Sequence, residues 1–299
     1  MTETIETPIL AIDVGGTKIA MGTVVAGRLI RRRQFPTPRT GRGDDLVKSI
    51  LAAVDKTDMF EGIAIATTGI VADGRLSALN PETLPIENEF PLADAIKAAT
   101  GTKPIVVNDA QAAAWGEFRF GAGRGCASFA FVTVSTGIGA GIVADGRLLV
   151  GRSGLSGHLG HAVCDPRGEP CGCGRRGCLE AMASGNALAR RGSALLGRSV
   201  TAPKLFAEAA EGNHQAEALL DEASVFLASA FADLTATCDV DRIALGGGVG
   251  MAEGFLVRVQ KRMAGLPLKY QREVCPATAG ADAGLLGVAD LAIEEIFRH

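Results

Sequence analysis

Ile9-Leu-Ala-Ile-Asp-Val-Gly-Gly-Thr-Lys-Ile-Ala-Met-Gly-Thr-Val-Val25 decides how the rest of the chain is read. Ile9 to Val14 is a short apolar run of the kind buried on both faces of a sheet, Gly15-Gly16-Thr17-Lys18 is a tight turn, and Ile19 to Val25 resumes the apolar pattern at once. An opening hairpin is predicted. The pattern returns 119 positions later, where Thr17, Ile19, Gly22, Val24, Gly27, Arg28 and Leu29 recur as Thr136, Ile138, Gly141, Val143, Gly146, Arg147 and Leu148, seven identities in thirteen positions. Phe129 to Val150 therefore reads as the opening hairpin of a second, duplicated domain. A two-lobed α/β protein is expected.

Between the hairpins, the spacing predicts a helix over Asp44 to Val54, a strand over Gly62 to Thr67, a helix over Leu92 to Ala99, a strand over Ile105 to Val107 and a helix over Ala110 to Phe120. After the second hairpin, Gly151 to Gly177 is rich in Gly and Cys and too long for an ordinary connector, so it needs a cross-link to hold its shape. Helices are predicted over Asn186 to Leu196, Pro203 to Ala210 behind a Thr201 cap, Ala216 to Thr237, Ala252 to Ala264 and Ala283 to Phe297. One strand, Asp241 to Leu245, interrupts them and runs into Gly246-Gly247-Gly248. Arg31-Arg32-Arg33 reads as a solvated strand end.

The 299 residues are 47% apolar and 21% charged, with a formal net charge of -3. That is the composition of a soluble globular protein without the basic surface that draws nucleic acid or an anionic membrane. Glycine is the outlier at 39 residues, about twice its usual ~7% share. No run of eighteen uncharged apolar residues occurs and Met1 to Pro8 does not have the form of a signal peptide, so a cytoplasmic protein is expected. Of seven cysteines, Cys171, Cys173 and Cys178 fall within eight residues. In a reducing compartment this favours a metal site over a disulfide framework.

Phosphate groups bind where successive backbone N–H groups converge, which requires glycine. Asp13-Val-Gly-Gly-Thr-Lys18 offers such a turn with a hydroxyl, an ammonium and an acid suited to Mg²⁺, and Ser135-Thr-Gly-Ile-Gly-Ala-Gly141 offers a second. Neither is a Walker loop, since neither has G-x-x-x-x-G-K-[ST] or leads directly into a helix. Two matching turns suggest a clamp on one polyphosphate. Gly246-Gly-Gly-Val-Gly250, between a strand and a helix, would seat an adenosine against bare backbone, although close strand–helix packing explains it equally well. Asp109 is placed to accept a hydroxyl proton in phosphoryl transfer, but Asn108 or Asp109 could equally be a helix N-cap.

His161 and the three cysteines form H-x9-C-x-C-x4-C, which satisfies a tetrahedral structural Zn²⁺. A closed His/Cys₃ shell leaves no position for an activated water, so the ion is expected to order the loop carrying His158 and Glu180. His158 is left as a hydrogen-bonding or packing group. Glu180 is either anchored there for function or a surface acid beginning a helix.

Together, the turn at Asp13–Lys18, Asn108-Asp109-Ala-Gln-Ala-Ala-Ala-Trp-Gly-Glu117, the turn at Ser135–Gly141, Gly157-His-Leu-Gly-His161 and Cys171-Gly-Cys-Gly-Arg-Arg-Gly-Cys-Leu-Glu180 resemble the ROK family of sugar kinases over essentially the whole chain. The resemblance implies an actin-like ATPase (ribonuclease H-like) α/β fold, with two lobes built on duplicated hairpins around a central cleft. A small lobe over 1–118 would be completed by the helix at 283–299, and a large lobe over 119–282 would carry a zinc loop at 157–180. ATP would lie on Ala11, Ile12, Asp13, Val14, Gly15, Gly16, Thr17 and Lys18, on Thr136, Gly137, Ile138, Gly139, Ala140 and Gly141, and on Gly247 and Gly248, with Mg²⁺ on its phosphates. Asp109 would be the base for the sugar C6 hydroxyl. Asn108, His158, His161 and Glu180 would hold ring hydroxyls, with Thr68, Gly69 and Asn80 bordering the sugar. Many family members carry Gly-Glu-x-Gly-His where this chain has Gly157-His158-Leu-Gly-His161. That exchange adds a donor where an acceptor-only carboxylate would stand, which disfavours glucose and fits the branch that phosphorylates N-acetyl-D-mannosamine in sialic acid breakdown. A glucose or N-acetylglucosamine kinase is the rival within the class. A sugar-sensing repressor is disfavoured because only eight residues precede Ile9, and a filament-forming actin relative does not account for the zinc loop. A homodimer is expected from the resemblance.

Overall fold

The computed structural model describes residues 7–55, 58–81 and 83–297. Its first half runs β1 (Ile9–Val14), β2 (Lys18–Val25), β3 (Arg28–Pro36), α1 (Gly43–Ala53), β4 (Gly62–Thr67), β5 (Ile70–Ala72), β6 (Arg75–Ser77), α2 (Leu92–Thr100), β7 (Ile105–Asn108) and α3 (Asp109–Phe120). There follow β8 (Phe129–Val134), β9 (Ile138–Ala144), β10 (Arg147–Leu148), α4 (Leu179–Ala183), α5 (Gly185–Leu196), α6 (Ala202–Ala210), α7 (His214–Cys238), β11 (Arg242–Gly246), α8 (Gly247–Gly250), α9 (Phe255–Ala264), β12 (Glu273–Pro276) and α10 (Ala283–Phe297).

The duplication is visible in the sheets. Their strand orders are β3-β2-β1-β4-β7 and β10-β9-β8-β11-β12, each an antiparallel three-stranded meander extended by two parallel strands. Val14 pairs with Ile19 across the first turn, leaving four residues between them, whereas Val134 pairs with Ile138, leaving three. The second turn is one residue shorter, which is why the 119-residue match begins only at the end of the first turn.

Two compact units result. The first takes the residues up to Phe120, Leu149–Ser156 and the residues from Ala279, and the second takes Gly121–Leu148 and Gly157–Thr278. Leu149–Ser156, expected in the large lobe, thus packs with the first unit. Gly154, at φ 74, lies on the Val71 carbonyl, where an added Cβ would stand 2.0 Å from the oxygen, and Gln111 Nε2 donates to Ser156 O at 2.9 Å.

In the first unit, alternate residues of β1 face two cores. Leu10, Ile12 and Val14 join Leu46, Ile50, Leu92 and Ile96 of α1 and α2. Ile9 and Ala11 join Ala64, Ala66 and Ala112 with Leu285, Val288 and Ala289 of α10. Small side chains on the second face let α3 and α10 lie close to the sheet and to each other. An added Cβ at Gly287 would stand 1.9 Å from Ala112 O, and one at Gly116 would stand 2.1 Å from Ala283 O. Both faces are covered, so β1 is apolar on both sides except at Asp13.

Several expectations change. Arg33 does not lie on a solvated strand end: it sits on the edge strand β3 and donates to both oxygens of Asp58 at 2.6 Å, whose side chain is fully buried. The C-terminal half holds a second strand, β12, parallel to β11, and β5 pairs with β6 as a small hairpin. Helix α9 begins at Phe255 because Gly254 takes a left-handed conformation. Thr201 caps α6 as predicted, accepting from Lys204 N, and Asn213 caps the 25-residue α7.

Candidate active site

The first glycine turn grows out of β1 in the first unit. Gly15 N donates to Lys18 O at 3.0 Å and Thr37 N to Thr17 O at 3.1 Å, while Thr37 Oγ1 donates to Gly15 O at 2.7 Å. Thr17 and Lys18 stand exposed at its tip. Gly16 is covered by the segment after Asn80: an added Cβ would meet Thr83 O at 2.4 Å, and Asn80 O accepts from Thr83 N. Asp13 falls on the α3/α10 face of β1. Burial, reinforced by Asp109 and Asp282 against the pull of Lys18 and Arg32, raises its carboxyl from 3.8 to about 7. A carboxyl raised by burial beside other acids fits a divalent cation.

At the end of β7, Asn108 is the helix cap. Its Oδ1 accepts from Ala110 N at 2.9 Å and Gln111 N at 3.2 Å, and its Nδ2 donates to Gly69 O at 3.0 Å. Asp109 Oδ1 shares the Ala110 amide at 2.8 Å. The dipeptide divides the labour: Asn108 ties α3 to the Thr68-Gly69 turn, and Asp109 stands at the first position of the helix, close enough to Asp13 to raise its carboxyl.

In the second unit, the shorter turn is closed by Ser135 N donating to Gly137 O at 2.9 Å. The N-terminus of α5 docks on it, with Gly185 N donating to Ser135 O at 2.7 Å and Asn186 N to Thr136 O at 3.2 Å. Glu180 Oε2 accepts from Ile138 N at 2.9 Å. The metal loop follows Gly157. Val163 bridges to Cys178 and Pro170 to Arg176, and Cys171 N donates to Arg175 O at 2.8 Å. His161 Nδ1 lies 3.6 Å from Cys171 Sγ and Cys173 Sγ 3.6 Å from Cys178 Sγ, with all four donor atoms within 4.8 Å. Thiolates on a tetrahedral Zn²⁺ at ~2.3 Å would stand about 3.8 Å apart, so the spacing fits. Burial pushes the Cys171 thiol up to about 12, so at neutral pH it ionises only with a cation beside it. Burial also lowers His161, against the pull of Glu180, which favours the neutral ring a metal requires.

The ROK family model matches residues 9–295. The chain belongs to the ROK family. It is 44% identical over 284 residues to an N-acetylmannosamine kinase of Vibrio vulnificus, covering 94% of this chain and 96% of that protein. It is 45% identical over 285 residues to an N-acetylmannosamine kinase of Citrobacter koseri, covering 95% and 98%. A ROK hexokinase of Thermus thermophilus superposes with a TM-score of 0.86 at 34% identity, covering 98% of this chain and all of that one. The fold is the actin-like ATPase fold of the ROK kinases.

On this ROK chain not every residue expected at the nucleotide can touch one. Ala11, Ile12 and Val14 are at most 1% exposed and paired to strands on both sides. Their part is to carry Asp13. The Ile138 amide is taken by Glu180. Gly247 owes its glycine to packing: at φ 83, an added Cβ would stand 2.4 Å from Val134 O, whereas Gly248 has nothing within 4 Å and offers bare backbone. Gly139, Ala140 and Gly141 lie in β9 and continue the turn into the sheet. Among the described residues, the buried side-chain polar atoms without a hydrogen-bond partner are His158 Nδ1 and Gln111 Oε1. His158 was expected to meet a ligand. Gln111 was not singled out, although its place three residues after Asn108 puts it on the same helical face. Asp282 was also missed, because only the fold brings the start of α10 to β1.

Proposed function

We propose that this chain transfers the γ-phosphoryl group of ATP to the C6 hydroxyl of N-acetyl-D-mannosamine, giving N-acetyl-D-mannosamine 6-phosphate in the breakdown of sialic acid. The identity to two proteins named N-acetylmannosamine kinase supports the choice of sugar. The observation that carries the chemistry is the placement of Asp109 beside the raised carboxyl of Asp13, behind a cap that Asn108 supplies. Asp109 takes the C6 proton as the C6 oxygen forms a bond to Pγ and the bond from Pγ to the bridging oxygen breaks, releasing ADP. Asn108, Thr68, Gly69, Asn80, His158, His161 and Glu180 hold the sugar. His158 Nδ1, which lacks a protein partner, is satisfied by a sugar hydroxyl.

The two glycine turns and Gly248 take the nucleotide, with Lys18 on its phosphates. Asp13 would hold Mg²⁺, directly or through water, and the cation would supply charge neutralisation on the phosphates. His161, Cys171, Cys173 and Cys178 would hold Zn²⁺, which would order the loop that presents His158 and Glu180. The enzyme works in the cytoplasm as a homodimer. None of its described helices is long and apolar enough to cross a membrane.

An ADP-release assay on metal-replete protein with Mg²⁺, run over hexoses and N-acetylhexosamines, tests the reading. N-acetylmannosamine should give the highest kcat/KM. A preference for glucose or N-acetylglucosamine overturns the choice of sugar, and no ADP release with any aldose overturns the kinase reading. Light scattering checks the dimer, which a solution mass of 30.8 kDa would contradict.

A further inference from the structure

Glu180 stands two residues beyond the metal-ligand position Cys178, in the short helix α4, yet its carboxylate lies on the second glycine turn. Oε2 accepts from Ile138 N at 2.9 Å. The same oxygen would stand 2.5 Å from a Cβ at Gly137, so only glycine lets the carboxylate rest there. The strand that leaves the turn is met by the start of the same loop. An added Cβ at Gly160 would stand 2.1 Å from Ile138 O and one at Gly157 2.7 Å from Ala140 O. A turn of three residues with no charged side chain of its own is thus shaped by the segment that the metal holds. Among the described residues, the amides of Thr136 and Gly137 have no partner within the protein, and these are the donors that such shaping would aim.

We propose that Glu180 is a positioning residue for the nucleotide as well as a sugar ligand: one carboxylate oxygen fixes the Gly137-Ile138 turn and the other is left for the sugar. The inference rests on the kinase reading and deepens it. Metal-loop order and nucleotide affinity then rise and fall together, with no contact between the metal and the nucleotide required. Loss of the hydrogen bond that fixes the turn is expected to weaken nucleotide binding about tenfold.

Calorimetric titration of the metal-loaded full chain with Mg²⁺–ADP, without sugar, tests this. Glu180→Ala and Glu180→Asp, the latter keeping the charge but drawing it back by one methylene, should each weaken ADP binding about tenfold. Glu180→Gln should stay close to wild type for ADP, because the amide oxygen can accept the same Ile138 N–H. It should nevertheless lose affinity for N-acetylmannosamine in a parallel titration, where the amide NH₂ replaces an acceptor. A fold defect alone would not be rescued for one ligand and not the other. Glu180→Asp with wild-type ADP affinity, or Glu180→Gln as weak as Glu180→Asp, overturns the proposal while leaving the kinase reading intact. Wild-type protein that binds no Mg²⁺–ADP overturns both.

Discussion

The two glycine turns are the same hairpin solved in two ways. The first has four residues between its paired ends, carries its own Lys18 and Thr17, and sits next to an acid on its own strand. The second has three, carries no charge, and takes its carboxylate from Glu180, 42 residues away. Each turn has a glycine with another segment lying on it: the backbone of Thr83 on Gly16, and the side chain of Glu180 on Gly137. The lesson is where the order comes from. In the first unit, the acids are positioned by apolar packing of α3 and α10 on the sheet. In the second, His161 and the three cysteines gather on a segment of turns and isolated bridges, where a cluster of four metal-ligating side chains stands in for packing.

The sharpest break in that comparison should come from the first unit's chemistry. Asp109→Asn is expected to lower kcat by about a hundred- to ten-thousand-fold, the range for removing a general base. Sugar affinity should change little, since an amide of the same shape still reaches the hydroxyl. Kinetics beside a sugar titration would show it, and retention of more than about a few per cent of turnover would move the base elsewhere.

Next in size is loss of a ligand from the His/Cys₃ cluster of the second unit. Cys173→Ser should abolish zinc binding, detectable by elemental analysis of wild type beside variant. It should also weaken sugar binding and lower the thermal midpoint, because metal-binding energy is folding energy where a site cannot form alone. If zinc content and midpoint both survive, the four side chains owe their closeness to something other than an ion.

The difference in how the units are ordered also explains what could be read in advance. The hairpin repeat, the cysteine cluster and the Asn108-Asp109 step are local patterns, and the structure places them on elements with nearly the expected bounds. β12 was not legible, because Glu273-Val-Cys-Pro276 is only four residues long and becomes a strand through pairing with β11. Asp58, the partner of Arg33, was hidden for the same reason: its role depends on a fold that buries it. Gln111 could have been found from helical spacing, and the contact of Glu180 with Gly137 could not, since 43 residues separate them.

A smaller effect should separate the units by packing. Gly287→Ala places a methyl 1.9 Å from Ala112 O and 2.6 Å from Gly116 N, so α10 must move off the helix that carries Asp109. Overpacking of this kind costs about 1–3 kcal/mol, to be read from urea unfolding, with zinc content unchanged. Wild-type stability would mean that the two helices are not in direct contact.

The smallest expected effect tests the electrostatics of the first turn, through Asp13. Its folded carboxyl titrates at about 7 against 3.8 for an unperturbed group. The native protein therefore keeps a proton that the unfolded chain has already released between those values, and stability falls as pH rises through that window. Below pH 3.8 the penalty is absent, and above about 7 it is complete. Asp13→Asn, which mimics the neutral acid, should match wild type in thermal midpoint at the acid end and exceed it increasingly up to neutral pH. Added Mg²⁺–ADP should raise the wild type more than the variant, because the ionised carboxylate then has a cation to meet. A difference that stays flat with pH would show that Asp13 is not pressed by Asp109 and burial.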